Sequence, residues 1–251
     1  MRVKGIISLI TTTLFFLGCN SFSTIEKFRL ERKNVTKINL SHNKLTEIPK
    51  EIFELEDLKI LILHNNKITE IPPEIGKLKN LEKLVISRND LTEIPPEIGQ
   101  LTKLKKLSLK ANKLTEIPPE LYKLSNLEVL WLEFNDLVEL PEGIDGMTKL
   151  FQLYLSYNDL KELPDKIGRM PALKELYIDQ NQINMLPESF YDLSLYILNI
   201  SNSGPTFTAN DKICNMRSLE KLYVDTPTFQ FLPVCVRIRA NNNPRFDIVI
   251  R

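Results

Sequence analysis

One spacing of leucines recurs seven times in this sequence and restricts what the chain can fold into. In one-letter code, with x for any residue, the pattern is LxxLxLxxNxLxx(I/L)Pxx(I/L)xxLxx, and it fills residues 35–194. Six copies are 23 residues long and the seventh has 22; they start at Val35, Leu58, Leu81, Leu104, Leu127, Leu150 and Leu173. A fixed period of roughly 20–50 residues indicates a solenoid, in which stacked repeats share one core and no repeat folds alone.

The fourth repeat shows what each segment is expected to form. Leu107 and Leu109 alternate with polar residues, which predicts a short strand with one face turned inward. Asn112 follows at the bend, where a buried amide can bond the main-chain groups that the turn leaves unpaired. The Pro118-Pro119-Glu120 step suits the start of a short helical turn on the opposite side. The asparagine recurs in every copy as a column that we interpret as structural: Asn43, Asn66, Asn89, Asn112, Asn135, Asn158 and Asn181.

This pattern resembles the leucine-rich repeat family, and in its spacing the 23-residue class of Ras-suppressor and Scribble-like proteins. The strings LKKLSLKANKLTEIPPELYKLSN and LEKLVISRNDLTEIPPEIGQLTK carry the resemblance, which covers about two-thirds of the chain in strict form. It implies an α/β solenoid: a right-handed horseshoe with a concave parallel β-sheet and convex turns, 3₁₀ helices or short helices. It implies no particular partner, because this fold serves many functions.

The first 19 residues are typical of an export signal. Arg2 and Lys4 precede an apolar run that ends at Cys19, and the run is too short to span a membrane comfortably. Residues 16–19, Phe-Leu-Gly-Cys, resemble a bacterial lipobox, as in spirochaete (leptospiral-type) leucine-rich repeat lipoproteins. Acylation of Cys19 would anchor an exported protein to the bacterial envelope without a span. The alternative is a secretory signal that is cut elsewhere and leaves a secreted protein. Residues 20–34 break the repeat register and are predicted to cap the first repeat.

The pattern degrades in residues 195–251, for which we predict two irregular repeats and a final cap strand. Ser203 and Pro227 stand at the ladder asparagine positions, and Ile248 and Ile250 recover strand spacing. Cys214 and Cys235 fall at near-equivalent positions of adjacent turns.

The two cysteines left after Cys19 are candidates for a disulfide. Cys214 and Cys235 belong to turns that stack on one another, and an exported protein favours their oxidation. The alternative is two half-buried thiols.

Composition argues against several functional classes. The formal net charge is +1, with 33 basic and 32 acidic residues in dispersed positions, so there is no basic footprint for nucleic acid. The sequence contains no glycine-rich phosphate loop and no partnered nucleophile. His42 and His64 lie in adjacent repeats, but they lack further ligands at metal-binding spacing. We therefore predict a protein that is not an enzyme and needs no cofactor or metal.

The outward positions of the strands, which stacking aligns in columns, carry the functional hypothesis. Trp131, Tyr154 and Tyr177 share a column in three successive repeats, and Phe134 and Tyr157 border it. Basic residues precede these aromatics and acidic residues surround or follow them. The candidate partner-binding residues are Trp131, Phe134, Tyr154, Tyr157, Tyr177, Glu133, Asp179, Lys106, Lys110 and Arg88. Cross-strand aromatics can also simply stabilise a sheet, but tryptophan and tyrosine dominate interface hot spots, which favours a binding patch.

The sequence therefore predicts a protein–protein interaction module that binds through its concave face. The resemblance to spirochaete proteins makes a host cell-surface or matrix protein the leading partner. Two alternatives stay open: carbohydrate or peptidoglycan binding on the aromatics, and a scaffold for another protein of the bacterial envelope.

Overall fold

The computed structural model describes residues 35–204 and 207–251. The predicted signal peptide with Cys19 and the predicted cap at residues 20–34 lie outside them. The described residues form one open sheet of ten parallel strands that pair in sequence order. The strands are β1 Lys37–Asn39, β2 Ile60–Ile62, β3 Lys83–Val85, β4 Lys106–Ser108, β5 Val129–Trp131, β6 Gln152–Tyr154, β7 Glu175–Tyr177, β8 Ile197–Asn199, β9 Lys221–Val224 and β10 Asp247–Ile250. The expected solenoid is confirmed.

Each strand is short because only its central side chain and the leucine or isoleucine that follows enter the core. Leu107 and Leu109 are fully buried, and Leu107 pairs in register with Leu84 on one side and Leu130 on the other. The same register holds between all the regular repeats, so the inward leucines form continuous apolar columns. The residues between them, such as Ser108, face the concave surface.

The asparagine column forms the predicted ladder. Asn112 is buried, its Nδ2 donates to the carbonyls of Ile86 at 3.0 Å and Leu109 at 2.8 Å, and its Oδ1 accepts from the amide of Leu91 at 3.2 Å. One side chain thus joins its own bend to the preceding repeat and supplies partners that the turn cannot.

Short 3₁₀ helices lie on the convex side, and proline begins most of them as predicted, whereas Gly143 and Asn210 precede two. In the described residues these helices are Lys50–Glu54, Pro73–Lys77, Pro96–Gln100, Pro119–Lys123, Ile144–Gly146, Asp165–Arg169, Glu188–Asp192 and Asp211–Asn215. Their packing is tight enough to demand glycine at several positions, of which Gly99 is an example. A Cβ at Gly99 would lie 2.4 Å from the carbonyl oxygen of Glu120 in the next repeat.

The C-terminal end contains two α-helices that the repeat pattern did not predict: α1 Thr226–Phe231 and α2 Val234–Asn242. The ladder position of the ninth repeat, where Pro227 stands, lies within α1. Asp225 caps α1 by accepting from the amide of Thr228 at 2.6 Å, and Pro227 occupies the first turn, where no amide donor is needed. These helix-starting residues override the weakened repeat pattern.

Three residues of helix α2 join it to the preceding irregular repeats: Arg239, the buried Val236 and Cys235. The guanidinium of Arg239 donates to the carbonyls of Met216 at 2.8 Å and Leu219 at 2.7 Å. Beside it, Cys214 and Cys235 have Cα atoms 5.9 Å apart and are positioned as a disulfide. The final strand β10 then pairs with β9. Within residues 35–204 and 207–251, no helix has the length and apolar character that a membrane span requires.

Candidate functional site

Three aromatic side chains from neighbouring strands stack on the concave face; we call Trp131, Tyr154 and Tyr177 the aromatic stack. They are direct partners in the registers of β5 with β6 and of β6 with β7. The ring centroids of Trp131 and Tyr154 lie 5.9 Å apart at 13°, and those of Tyr154 and Tyr177 lie 4.6 Å apart at 8°. All three remain half-buried, with the apolar core complete beneath them. The structure therefore brings the predicted column together as one exposed surface.

A second stacked pair, Phe134 and Tyr157, lies at the bend that follows strands β5 and β6; we call it the border pair. The two rings are 4.3 Å apart at 10°, and the residues are 44% and 46% exposed. Both residues have left-handed backbone angles, φ 59° and 57°, as does the equivalent bend residue of other repeats, for example Arg88 at 55° and Ala111 at 54°. The angle therefore belongs to the bend of the repeat, and the border pair differs in leaving two large aromatic side chains half in solvent, which favours a binding role.

The predicted acidic contacts Glu133 and Asp179 are less exposed than expected, at 7% and 9%. One carboxylate oxygen of Glu133 pairs with Lys110 Nζ at 3.0 Å, and the other is buried without a hydrogen-bond partner. Asp179 accepts from the hydroxyl of Ser156 and, at 2.7 Å, from Asn199 Nδ2; burial raises the pKa of its carboxyl group. Both carboxylates already bind other side chains of the protein on the concave face.

The carboxylate of Glu175 lies beside the aromatic stack, next to Tyr177. It accepts a hydrogen bond from Gln152 Nε2 at 2.8 Å and a longer one from the Tyr177 hydroxyl at 3.4 Å. Burial first, and then the charge of Glu175, raise the pKa values of Tyr154 and Tyr177. Glu175 occupies an outward position of β7, and its hydrogen bond with the Tyr177 hydroxyl was not predicted from the sequence.

The predicted basic residues separate into two roles. Lys110 pairs with Glu133, and its Nζ lies 5.1 Å from the centroid of the Phe134 ring, so it supports the border pair. Arg88 and Lys106 are exposed, and no ion pair involves either of them in the described part of the chain. These two side chains are available to a partner.

The two histidines, His42 and His64, follow strands β1 and β2. Their ring centroids lie 5.4 Å apart in an edge-to-face arrangement. His64 Nδ1 is 2.8 Å from the hydroxyl of Ser87, and burial, followed by the charges of His42 and Arg88, lowers the pKa of His64. Among the described residues, no group of three or more His, Cys, Asp or Glu side chains is arranged to hold a metal ion.

Sequence reasoning missed one element of this face. The guanidinium carbon of Arg251 lies 4.2 Å from the centroid of the Tyr223 ring, at the C-terminal end of the concave surface. Tyr223 shares the outward column of Tyr177, with buried Asn199 between them. The alternation of β10 could have indicated Arg251, since it is two residues beyond Val249, the register partner of Tyr223.

Comparison with known proteins assigns the architecture. Residues 34–139 match the family model described as a leucine-rich repeat region. This chain is a leucine-rich repeat solenoid. The finer assignment to the 23-residue Ras-suppressor class stays a prediction. No match was found among curated proteins.

Two solved structures illustrate the similarity. A leucine-rich repeat protein of Leptospira interrogans is 30% identical with a TM-score of 0.62; the alignment covers 87% of this chain and 61% of that one. The crystal structure of PEPR1-AtPEP1 is 27% identical with a TM-score of 0.66, covering 78% of this chain and 32% of that one. This repeat chain thus spans about three-fifths and one-third of the lengths of these two proteins.

Proposed function

We propose that this protein is a non-enzymatic interaction module that binds a protein partner on its concave face, with the aromatic stack at the centre of the contact. One observation carries the proposal: Trp131, Tyr154 and Tyr177 are aligned, stacked and half-exposed on a face whose core is already closed beneath them. Rigid aromatic side chains contribute large contact area with little loss of conformational freedom, and they dominate binding hot spots.

A purely stabilising role explains the stack less well. Cross-strand aromatic pairs do stabilise sheets, by about 0.2–1 kcal/mol each. The border pair, however, leaves about half of each side chain in water, where these large rings bury little apolar surface. Stability alone does not favour large aromatic side chains at such exposed positions.

Leucine-rich repeat relatives support protein binding as the general function. One similar structure is that of PEPR1-AtPEP1, and we extend only the use of the fold as a binding surface to this chain. The sequence features add the finer part of the proposal: export, lipid anchoring through Cys19 and contact with a host cell-surface or matrix protein.

The geometry favours a protein partner over a carbohydrate. Sugar rings stack on aromatic faces, but at 4.6 Å the facing sides of Tyr154 and Tyr177 cover one another and no sugar fits between them. Apart from the outer faces of Trp131 and Tyr177 at its two ends, the stack offers ring edges and tyrosine hydroxyl groups, which suit the mixed polar and apolar surface of a protein.

The test compares three forms of the immobilised protein: wild type, Trp131→Ala/Tyr154→Ala/Tyr177→Ala, and a control that removes exposed aromatics elsewhere, Phe151→Ala/Tyr196→Ala/Phe231→Ala. Each is exposed to host-cell surface extract, bacterial envelope extract and a glycan array, with circular dichroism confirming equal folding. We expect a protein captured by the wild type and the control to be lost with the stack variant. Capture that is equal in all three would refute the site, and glycan binding that the stack variant loses would establish the carbohydrate alternative.

A further inference from the structure

Two lysines face each other across neighbouring strands without a compensating charge. Lys83 and Lys106 are direct register partners in β3 and β4, where strands lie about 4.8 Å apart. Like charges directly opposite each other destabilise a sheet. Within the described residues, neither lysine forms an ion pair, whereas six lysines elsewhere do: Lys59, Lys105, Lys110, Lys113, Lys123 and Lys212.

No acidic residue lies in the outward columns around this pair, and Glu82, which precedes Lys83, is paired with Lys59 and Lys105. The outward positions of β1–β4 and of the residues directly after these strands are basic, neutral polar or apolar, without one Asp or Glu: Lys37, Asn39, Ser41, Ile60, Ile62, His64, Lys83, Val85, Ser87, Lys106, Ser108 and Lys110. Arg88, exposed at the bend after β3, adds a third free cation, and its charge helps to lower the pKa of His64. We call Lys83, Lys106 and Arg88 the basic strip.

The basic strip borders the open end of the aromatic stack. Ser108 is the register partner of Trp131, and Val85 is the next residue in that column. One face of the indole is turned to Tyr154 in a nearly parallel stack, so the opposite face is turned toward β4. A small serine between a valine and a tryptophan leaves room for an apolar side chain between cations.

We propose that the concave face recognises an acidic segment of its protein partner, whose carboxylates contact the basic strip while an apolar side chain of the same segment packs over Ser108 against Trp131. This rests on the proposed function, since it names the chemistry of the partner bound there. The charge complementarity explains why an unfavourable lysine pair is kept, because a partner carboxylate between the two ammonium groups turns their repulsion into binding.

An acidic peptide fits this surface better than a uniformly charged polyanion does. The strip is bounded by apolar Ile60 and Ile62 on one side and by the aromatic stack on the other. Heparin or nucleic acid would place charges against both apolar regions. A polypeptide can alternate acidic with apolar side chains and match all three zones.

The test selects ligands from a displayed library of random 12-residue peptides on the purified protein. Wild type is compared with Lys83→Gln/Arg88→Gln/Lys106→Gln and with a control that removes three exposed cations elsewhere, Lys77→Gln/Lys161→Gln/Arg169→Gln. We expect wild type and control to enrich peptides that combine Asp or Glu with apolar residues. A synthetic selected peptide should bind the strip variant about 10- to 100-fold more weakly. The strip variant should melt at the same temperature as wild type or higher, since it loses a repulsion.

Several results would overturn the proposal. They are selection of Lys- or Arg-rich peptides, selection without a charge preference, no selection at all, or equal binding of the selected peptides by the strip variant. Binding of heparin to the strip without selection of acidic peptides would show a polyanion site instead. The proposed function is tested separately by the stack variant. If that variant stops selecting peptides while the strip variant selects the same ones as wild type, the concave site stands and the acidic partner does not.

Discussion

Removal of two neighbouring ladder asparagines should cost more stability than the sum of the single losses. In the Asn112→Ala variant, the amide of Leu91 loses its only hydrogen-bond acceptor, which costs about 1–3 kcal/mol for a buried donor. The carbonyls of Ile86 and Leu109 each lose one donor but keep another, since Asn89 still donates to Ile86 at 3.2 Å and Asn135 to Leu109 at 3.1 Å. These secondary losses add about 0.5 kcal/mol each, so the single variant should lose about 2–4 kcal/mol.

The double variant removes both side-chain donors to one carbonyl group. Leu109 accepts from both Asn112 and Asn135, so Asn112→Ala/Asn135→Ala leaves that buried carbonyl without a partner. We expect the double variant to lose about 1–2 kcal/mol beyond the sum of the singles. The control pair Asn66→Ala/Asn158→Ala shares no carbonyl and should be additive within about 0.5 kcal/mol.

Urea unfolding followed by circular dichroism measures all four singles and both doubles. The exposed Asn126→Ala variant, whose amide reaches the Thr102 carbonyl at 2.8 Å at the surface, should cost less than about 1 kcal/mol and sets the baseline. Additive losses in the Asn112/Asn135 double variant, or coupling of equal size in the distant pair, would refute the shared-carbonyl account of the ladder.

Three further predictions concern the ends and the charges. Reduction of the Cys214–Cys235 pair, separated by 21 residues, should lower the free energy of unfolding by about 3 kcal/mol; two reactive thiols at these positions in the untreated protein would contradict the bridge. The pKa of His64 is lowered below its usual 6.5, so the unfolded chain binds a proton first and stability should fall as pH drops from 7 to 5. This loss of stability should be smaller in the His64→Gln variant. A variant whose stability depends on pH as the wild type does would refute this prediction. Burial raises the pKa of Asp179 above its usual 3.8, so the ionised carboxylate weakens the fold. The Asp179→Asn variant, whose Oδ1 can keep both hydrogen bonds, should therefore be at least as stable as wild type at pH 7. It should lose any advantage over wild type under strong acid.

The regular part of the fold was predictable because each feature depends on a local rule that recurs. The alternation of Leu107 and Leu109 fixes which side of a strand is buried, and the 23-residue period fixes the register between strands. Aligned columns follow, which is why Trp131, Tyr154 and Tyr177 could be placed together without coordinates.

The C-terminal end escaped this reasoning because there the period stops constraining the chain. At Pro227 the repeat reading competed with helix capping by Asp225, and the capping residues decided the local structure. Helix α2 is held by Arg239, whose carbonyl partners are 20–23 residues distant, and by the Cys214–Cys235 pair. Each of these contacts occurs once in the chain, so it leaves no periodic signal in the sequence.

The pairing of charged side chains was also not predicted from the sequence. The sequence correctly separated basic from acidic positions along the outward columns, but it could not tell which would pair internally. Glu133 and Lys110 occupy the same column in neighbouring repeats and neutralise each other, whereas Lys83 and Lys106 occupy another column and repel. Side-chain reach and burial, which the repeat pattern does not specify, decide between these outcomes.

Site-specific photocrosslinking tests most directly the claim that the concave aromatic surface binds the partner. A benzophenone amino acid would replace Phe134 on the concave border or, in a matched variant, Phe151, which precedes β6 and is exposed to a similar extent, 44% against 39%. In the presence of the captured partner, we predict a crosslinked product from position 134 and none from position 151. Crosslinking from position 151 alone would place the partner elsewhere and contradict the account.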